Sequence, residues 1–361
     1  MKSFQKILGF CFLTLLLSSG IQAQTIISAD DPNIAYVGRV SFANPQSPCF
    51  TYPGVQIRAQ FTGKNIAMKM KPKSGWFEIE IDKQTPFKVS VLENDSIVTL
   101  AKNLNDGTHS VCITLVNEGY ERRPEFRGFI LDDGANLAGK PELPQRRIEF
   151  IGNSITCGYG MEGKNEKEHY KESTSNFYFS YAAITARTLN AQAWVVARSG
   201  IGIYRNYNGP RTGNKDCMPA MYDQTLFTDN TVKWDYSQFT PDVVVINLGT
   251  NDCSTPNYDT QLLTNAYLKF VQRVRSNYPN AKIVLLTGVM LHKKPAKDVK
   301  KAMNTVRSIL RSNGDKNIFR FDCSEQKGDL GYGSDSHPSM RQHAKMASEL
   351  IPFLKKITDW Q

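Results

Sequence analysis

Residues 148–160 read Ile148-Glu149-Phe150-Ile151-Gly152-Asn153-Ser154-Ile155-Thr156-Cys157-Gly158-Tyr159-Gly160. A short apolar run that stops at a glycine and passes at once into turn chemistry is the pattern of a buried strand delivering a loop to the edge of a sheet. Downstream the pattern recurs. Apolar segments at 148–151, 193–197, 243–248, 283–287 and 318–321 alternate with stretches of helical character at 176–189, 258–278, 296–312 and 339–355. Buried strands separated by amphipathic helices predict a parallel sheet covered on both faces. In such a sheet, chemistry gathers beyond the carboxyl ends of the strands.

Upstream the rhythm changes. Segments 55–61, 76–81, 87–91 and 109–115 switch between apolar and polar residues at period two, and turn chemistry at 62–65 and 105–107 separates them. An antiparallel β-sandwich is predicted. Pro141 and Pro144 mark a linker at 139–145, so the reading is a sandwich domain at 24–138 and an α/β domain at 146–361.

Residues 1–23 stand outside both. Lys2 and Lys6 precede an apolar run from Ile7 to Leu17, and Ala23 follows a small and polar stretch, which is the layout of a signal peptide cleaved before Gln24. Cys11 lies inside the apolar run, whereas a lipoprotein carries its cysteine just after the cleavage point. The expectation is a soluble exported protein, secreted or periplasmic, without a transmembrane anchor.

The formal net charge is +10, and the basic residues are scattered except for a group running from His292 through Lys293, Lys294 and Lys297 to Lys300 and Lys301. Without a helix-turn-helix, a zinc finger or an aromatic-plus-basic platform beside it, that group reads as a solvated helix face and not as a nucleic-acid site. Six cysteines follow residue 23: Cys49, Cys112, Cys157, Cys217, Cys253 and Cys323. In an oxidising compartment Cys49–Cys112 and Cys217–Cys253 are the pairings to test first, with free buried thiols as the alternative. No Cys-x-x-Cys or paired Cys/His spacing occurs, so no metal site is expected.

Ser154, directly after a strand and flanked by glycines, suits a nucleophile held at a strand-to-loop turn, although serine and asparagine are also ordinary turn formers. Company comes from the next strand ends. Arg198-Ser199-Gly200 allows Gly200 to present a backbone N–H, and Leu248-Gly249-Thr250-Asn251-Asp252 allows Asn251 to present an amide N–H. With the N–H of Ser154 these donors form a candidate oxyanion hole. Gly200 can also simply end a strand, and Asn251 can simply cap a loop; their recurrence at successive strand ends favours the chemical reading. Serine needs a base. Among the five histidines, His337 in Gly333-Ser334-Asp335-Ser336-His337-Pro338 sits in a loop before the last helix that can return to the strand ends. His109 lies in the sandwich, His169 in an insertion, His292 in the basic loop and His343 within the last helix.

The blocks Gly152-Asn153-Ser154, Gly200, Gly249-Thr250-Asn251-Asp252 and Asp335-Ser336-His337-Pro338 resemble, in this order, the four blocks of the SGNH or GDSL-like serine hydrolases, with Asn153 where an aspartate commonly stands. The longer string at 148–160, together with Tyr52-Pro53-Gly54 and Phe61-Thr62-Gly63, is more specifically similar to carbohydrate esterase family 2, the acetyl xylan esterase type. The resemblance implies a jelly-roll-like sandwich fused to a three-layer α/β hydrolase, acetylated xylan or a related acetylated carbohydrate as substrate, and no metal or organic cofactor. It also implies Ser154 as nucleophile, His337 as base, and Ser154, Gly200 and Asn251 as the oxyanion hole. The wider superfamily places an acid three residues before the histidine, where this chain has Ser334; Asp335 is two residues away. Members of the family vary here, some orienting the histidine with a backbone carbonyl, so a Ser154–His337 dyad and a triad completed by Asp335 are both open, and Asp335, as the acid adjacent to His337, is the expected third member. Two other functions stay in view. The same blocks serve esterases acting on lipid or aryl esters. A catalytically inert glycan-binding protein would use the sandwich, with Trp76 as a sugar platform, although an aromatic on an alternating strand is more often core.

Overall fold

In a computed structural model, residues 24–361 are described, apart from Glu93 and Asp95; the signal-peptide expectation for residues 1–23 lies outside the described residues. Nine antiparallel strands come first: β1 (Gln24–Ile27), β2 (Ala35–Val37), β3 (Gln56–Thr62), β4 (Ile66–Met70), β5 (Gly75–Ile81), β6 (Phe87–Val91), β7 (Ile97–Ala101), β8 (Thr108–Leu115) and β9 (Phe126–Asp132). They form two sheets, ordered β1-β9-β4-β7 and β2-β3-β8-β5-β6. The period-two pattern explains the pairing of these sheets. β3 buries Ile57, Ala59 and Phe61 and turns Gln56, Arg58 and Gln60 outward, and one shared core joins them to Met68, Phe129 and Leu131 of the other sheet.

The second half follows as β10 (Arg146–Gly152), α1 (Ser154–Cys157), α2 (Tyr181–Thr188), β11 (Ala191–Ala197), α3 (Met218–Met221), β12 (Gln224–Leu226), β13 (Asp229–Lys233), β14 (Val243–Asn247), α4 (Thr260–Asn277), β15 (Lys282–Thr287), α5 (Lys293–Ser312), β16 (Ile318–Asp322) and α6 (Met340–Thr358). Five of these strands make a parallel sheet in the order β11-β10-β14-β15-β16. Both faces are covered. Val243, Val245, Val284 and Leu286 pack with Ala182, Met346 and Leu350 of α2 and α6. The intervening Val244, Ile246, Ile283 and Leu285 pack with Phe270, Val299 and Val306 of α4 and α5. All five residues of β14 are buried, and burial of a valine or isoleucine side chain contributes ~1.5–3 kcal/mol. The predicted β-sandwich and three-layer α/β architecture are therefore observed.

Two helix starts differ from the sequence expectation. α2 begins only at Tyr181, because Asn176 caps a separate 3₁₀ turn at Phe177–Phe179 and the Ser180 hydroxyl then accepts the N–H of Ala183. α5 begins at Lys293, ahead of the expected start, because Pro295 falls in the first turn, where its missing N–H has no intrahelical acceptor to lose.

β10 lies between β11 and β14. The connection from β10 runs to one neighbour and the connection from β11 to the other, so the crevice of an open α/β sheet opens at the carboxyl end of β10. Across the two halves, Arg39 is fully buried. Its guanidinium donates to the carbonyls of Tyr222 (2.5 Å) and Gln224 (2.9 Å) and to the carboxylate of Glu149 on β10 (3.3 Å). The rings of Trp234 and Tyr222 lie 5.0 and 5.1 Å away. Burial pushes Glu149 up from its ordinary carboxylate value, while Arg39 pulls it back.

All six cysteines among the described residues are free thiols, so neither Cys49–Cys112 nor Cys217–Cys253 is formed. Cys112 faces Arg58 and Glu80 in the ladders of β8, whereas Cys49 bridges Ser41 and Glu125 beside the other sheet. Cys217 caps α3 and Cys253 follows β14, each as a buried side chain. Trp76 is not an open sugar platform: it is half-buried, and the Lys88 ammonium sits 5.5 Å from the centre of its ring.

Candidate active site

β10 ends at Gly152, and Ser154 is the first residue of α1. The tight turn has two local causes. The Asn153 side chain accepts the N–H of Ile155 as an N-cap (3.1 Å), and a Cβ on Gly152 would lie 2.0 Å from Thr156 Oγ1. As first residue of the helix, Ser154 has an N–H without an intrahelical acceptor.

His337 meets Ser154 from the far end of the chain, with Nε2 2.9 Å from Oγ. Its Nδ1 lies 3.2 Å from the carbonyl oxygen of Ser334 and 3.3 Å from that of Asp335. Carbonyl oxygens only accept, so Nδ1 carries the hydrogen and Nε2 presents its lone pair to the serine hydroxyl. This is the tautomer a general base needs. Burial lowers the His337 pKa to about 4, against a smaller opposing pull from the two carbonyls and the Asp335 charge. The imidazole packs on Tyr159, ring centres 4.2 Å apart, and Tyr159 in turn stacks on Tyr170.

Asp335 does not complete a triad through its carboxylate, which corrects the expectation from the sequence. The carboxylate accepts instead from the Tyr159 hydroxyl (2.9 Å), the Tyr170 N–H (3.0 Å) and His169 Nδ1 (3.1 Å). The backbone explains why. Asp335 and Ser336 are both left-handed, with φ of 50° and 61°, a turn that aims main-chain carbonyls at the imidazole and sends the Asp335 side chain toward the segment after α1. Partial burial pushes the Asp335 pKa up, but the hydrogen bonds from Tyr159, His169 and Tyr170 outweigh it and leave the group below the usual carboxylate range.

The other predicted residues gather at the same place. A cleft of about 680 Å³ is lined by Ser154, Gly200, Asn251 and His337, with Tyr207 and Met290 on its walls. Gly200 is left-handed (φ 76°), a conformation glycine adopts without strain. Asn251 is buried, and its Nδ2 donates to the carbonyl of Ile201 at 2.8 Å, which leaves the second amide hydrogen for a ligand. Two acids that sequence reading passed over stabilise these loops. Asp252, fully buried, accepts the N–H groups of Ile203, Tyr204 and Arg205. Glu118, from the sandwich half, accepts the N–H and the hydroxyl of Ser199. Asp252 had a signal in its place beside Asn251; Glu118 had none, because its partner lies 81 positions away.

The remaining histidines have other partners, although His292 also lines the cleft. His343 is buried in α6 and accepts the Tyr181 N–H through Nδ1 (3.2 Å), a packing role. His109 pairs with Asp82 at the sandwich edge (2.7 Å), and His292 with Glu325 on the surface (3.3 Å). Chemically, a half-buried neutral imidazole on a serine hydroxyl, with N–H donors beside it, is equipped for acyl transfer.

Residues 36–141 match the family model for the carbohydrate esterase 2 N-terminal region, and residues 150–345 match that for the GDSL-like lipase/acylhydrolase family. The acetylxylan esterase/glucomannan deacetylase of Cellvibrio japonicus is 32% identical over 340 residues, covering 92% of this chain and 91% of that protein. The chain belongs to carbohydrate esterase family 2. It is a GDSL-like carbohydrate esterase. A solved structure of a family two carbohydrate esterase from Clostridium thermocellum in complex with cellohexaose superimposes on this family 2 esterase with a TM-score of 0.84 at 35% identity, covering 91% of this chain and 100% of that one. The cellulase/esterase CelE of Acetivibrio thermocellus is 36% identical over 334 residues, which are 92% of this chain but 40% of that protein.

Proposed function

We propose that this family 2 esterase removes acetyl groups from plant polysaccharides of the xylan and glucomannan class, that it is exported, and that Ser154 and His337 act as a dyad. The observation that carries the reading is the 2.9 Å contact between His337 Nε2 and Ser154 Oγ, with Nδ1 held by backbone carbonyls. Ser154 Oγ attacks the acetyl carbonyl as His337 Nε2 takes its proton. The negative charge then forming on the carbonyl oxygen is held by the N–H groups of Ser154 and Gly200 and by Asn251 Nδ2. Collapse of the tetrahedral intermediate breaks the bond to the sugar oxygen, which leaves with the proton from His337. Water, deprotonated by the same nitrogen, attacks the acetyl-enzyme and releases acetate. The names of the Cellvibrio japonicus relatives support the substrate class, and the cleft's position at the ends of β10, β11 and β14 supports the site.

Acetate release from acetylated xylan and acetylated glucomannan, compared with hydrolysis of a long-chain 4-nitrophenyl ester, tests the assignment. The polysaccharides are the preferred substrates, and Ser154→Ala lowers turnover ~10⁴-fold or more while the protein stays folded. Turnover of Ser154→Ala within tenfold of the unmodified enzyme removes the mechanism, and preference for the long acyl chain removes the substrate class. Fractionation of expressing cells tests export.

A further inference from the structure

Glu118 lies just past β8, in the loop by which the sandwich reaches the crevice, and only 3% of its surface is exposed. One oxygen accepts the backbone N–H of Ser199 (2.7 Å) and the other the Ser199 hydroxyl (2.5 Å), a two-point grip on one residue. No cation is its partner in either contact; Arg198 acts on it only as a more distant charge. Burying a carboxylate that is not ion-paired is costly, and such groups concentrate at functional sites. The grip falls on the residue immediately before Gly200, and Ser199, Gly200 and Ser154 line the same cleft.

The rest of the loop is held by other contacts: the Tyr207 N–H donates to the Gly200 carbonyl (2.9 Å), on the far side of the Gly200 α-carbon from its own N–H, and the Ile201 N–H donates to the Arg198 carbonyl (3.3 Å). Asp252 takes the N–H groups of Ile203, Tyr204 and Arg205, and Asn251 donates to Ile201. Gly200, left-handed and lacking a side chain, cannot fix its own peptide plane. The peptide that carries the Gly200 N–H is the Ser199–Gly200 unit, and Glu118 anchors its other end.

We infer that Glu118 is a positioning residue for the oxyanion hole: the β-sandwich sends a buried carboxylate into the α/β half to clamp Ser199 and thereby aim the Gly200 N–H at the reacting carbonyl. The sandwich is then part of the catalytic apparatus, working through geometry and touching no substrate. This rests on Gly200 serving as an oxyanion donor, as set out above. Because the donor acts on charge that develops only in the transition state, loosening it lowers kcat and leaves KM in place.

The experiment compares Glu118→Ala, Glu118→Gln and Ser199→Ala with the unmodified enzyme on 4-nitrophenyl acetate and acetylated xylan. Active sites are counted by complete reaction with a fluorophosphonate, so that an unfolded fraction does not enter kcat. Glu118→Ala lowers kcat ~10²-fold, comparable to losing one oxyanion donor. Glu118→Gln keeps the volume and one acceptor for the Ser199 N–H and loses ~10-fold, and Ser199→Ala, which keeps the N–H contact, loses less than Glu118→Gln. KM stays within about twofold throughout. If Glu118→Ala does not fold, Glu118→Gln and Ser199→Ala decide the matter in the same terms. A kcat per active site within about twofold of the unmodified enzyme in Glu118→Gln, or a loss residing in KM, overturns the inference. Ser154→Ala run in parallel separates the two readings: if it remains active the dyad itself is wrong, whereas an inactive Ser154→Ala beside unimpaired Glu118 variants removes the positioning role alone.

Discussion

Asp335→Asn separates a carboxylate-completed triad from the dyad drawn here. Where a carboxylate orients the histidine and stabilises its imidazolium, the amide replacement costs ~10⁴-fold in kcat. In this protein the Asp335 carboxylate points away from His337, to Tyr159, Tyr170 and His169, and the main-chain carbonyls at Nδ1 survive the substitution. Asparagine also tolerates the left-handed backbone at φ 50°. What is lost is charge assistance to hydrogen bonds on a side chain 34% exposed. Each charge-assisted bond exceeds a neutral one by ~1 kcal/mol, less where solvent screens it. What reaches the imidazole is the part transmitted through the Tyr159 ring and the small direct pull of the Asp335 charge. The expected loss in kcat is therefore no more than ~10-fold. Asp335→Ala removes the acceptor of all three donors and puts an ordinary residue in the left-handed region, at ~1–2 kcal/mol, so it is the more damaging change in both stability and rate. Steady-state kinetics on 4-nitrophenyl acetate, with near-ultraviolet circular dichroism to verify the fold, reads the result. A folded Asp335→Asn enzyme slower by ~10³-fold or more refutes orientation by the backbone.

Asn251→Ala removes one oxyanion donor and lowers kcat by ~10²–10³-fold; a raised KM at constant kcat reassigns Asn251 to substrate binding. His337 is the base only when neutral, so kcat/KM of the free enzyme holds down to mildly acidic pH and falls as pH drops through about 4; an acid limb near the ordinary histidine value contradicts this. Because folding lowers the His337 pKa, the unfolded chain binds more protons below the ordinary value of ~6.5, and stability declines as pH falls from there toward about 4; urea titrations at pH 7 and pH 5 measure it. Arg39→Ala leaves Glu149 buried without its cation and costs ~3–5 kcal/mol in chemical denaturation, while a change below ~1 kcal/mol shows that the pair is dispensable.

The layers of the fold follow from information spaced along the chain. Alternation in β3 and continuous apolar runs such as Val243–Asn247 state directly which faces must be buried, because side-chain direction has a fixed period in a strand. That Ser154, Gly200 and Asn251 meet was legible for a related reason: a parallel sheet puts successive strand ends side by side, so residues just after strands become neighbours whatever their separation in sequence, whereas His337 joins them from the long loop between β16 and α6. Helix starts depended on caps at Asn176 and Ser180 that compete with periodicity. What only the tertiary structure decided is direction and partnership. Two left-handed residues, Asp335 and Ser336, turn the carbonyls and not the carboxylate toward His337, and an aspartate or a serine in a sequence does not dictate a left-handed backbone. Glu118 reaches Ser199, and Arg39 reaches Glu149, only after the two halves dock. Such contacts depend on where two separately folded surfaces meet, which local pattern does not encode.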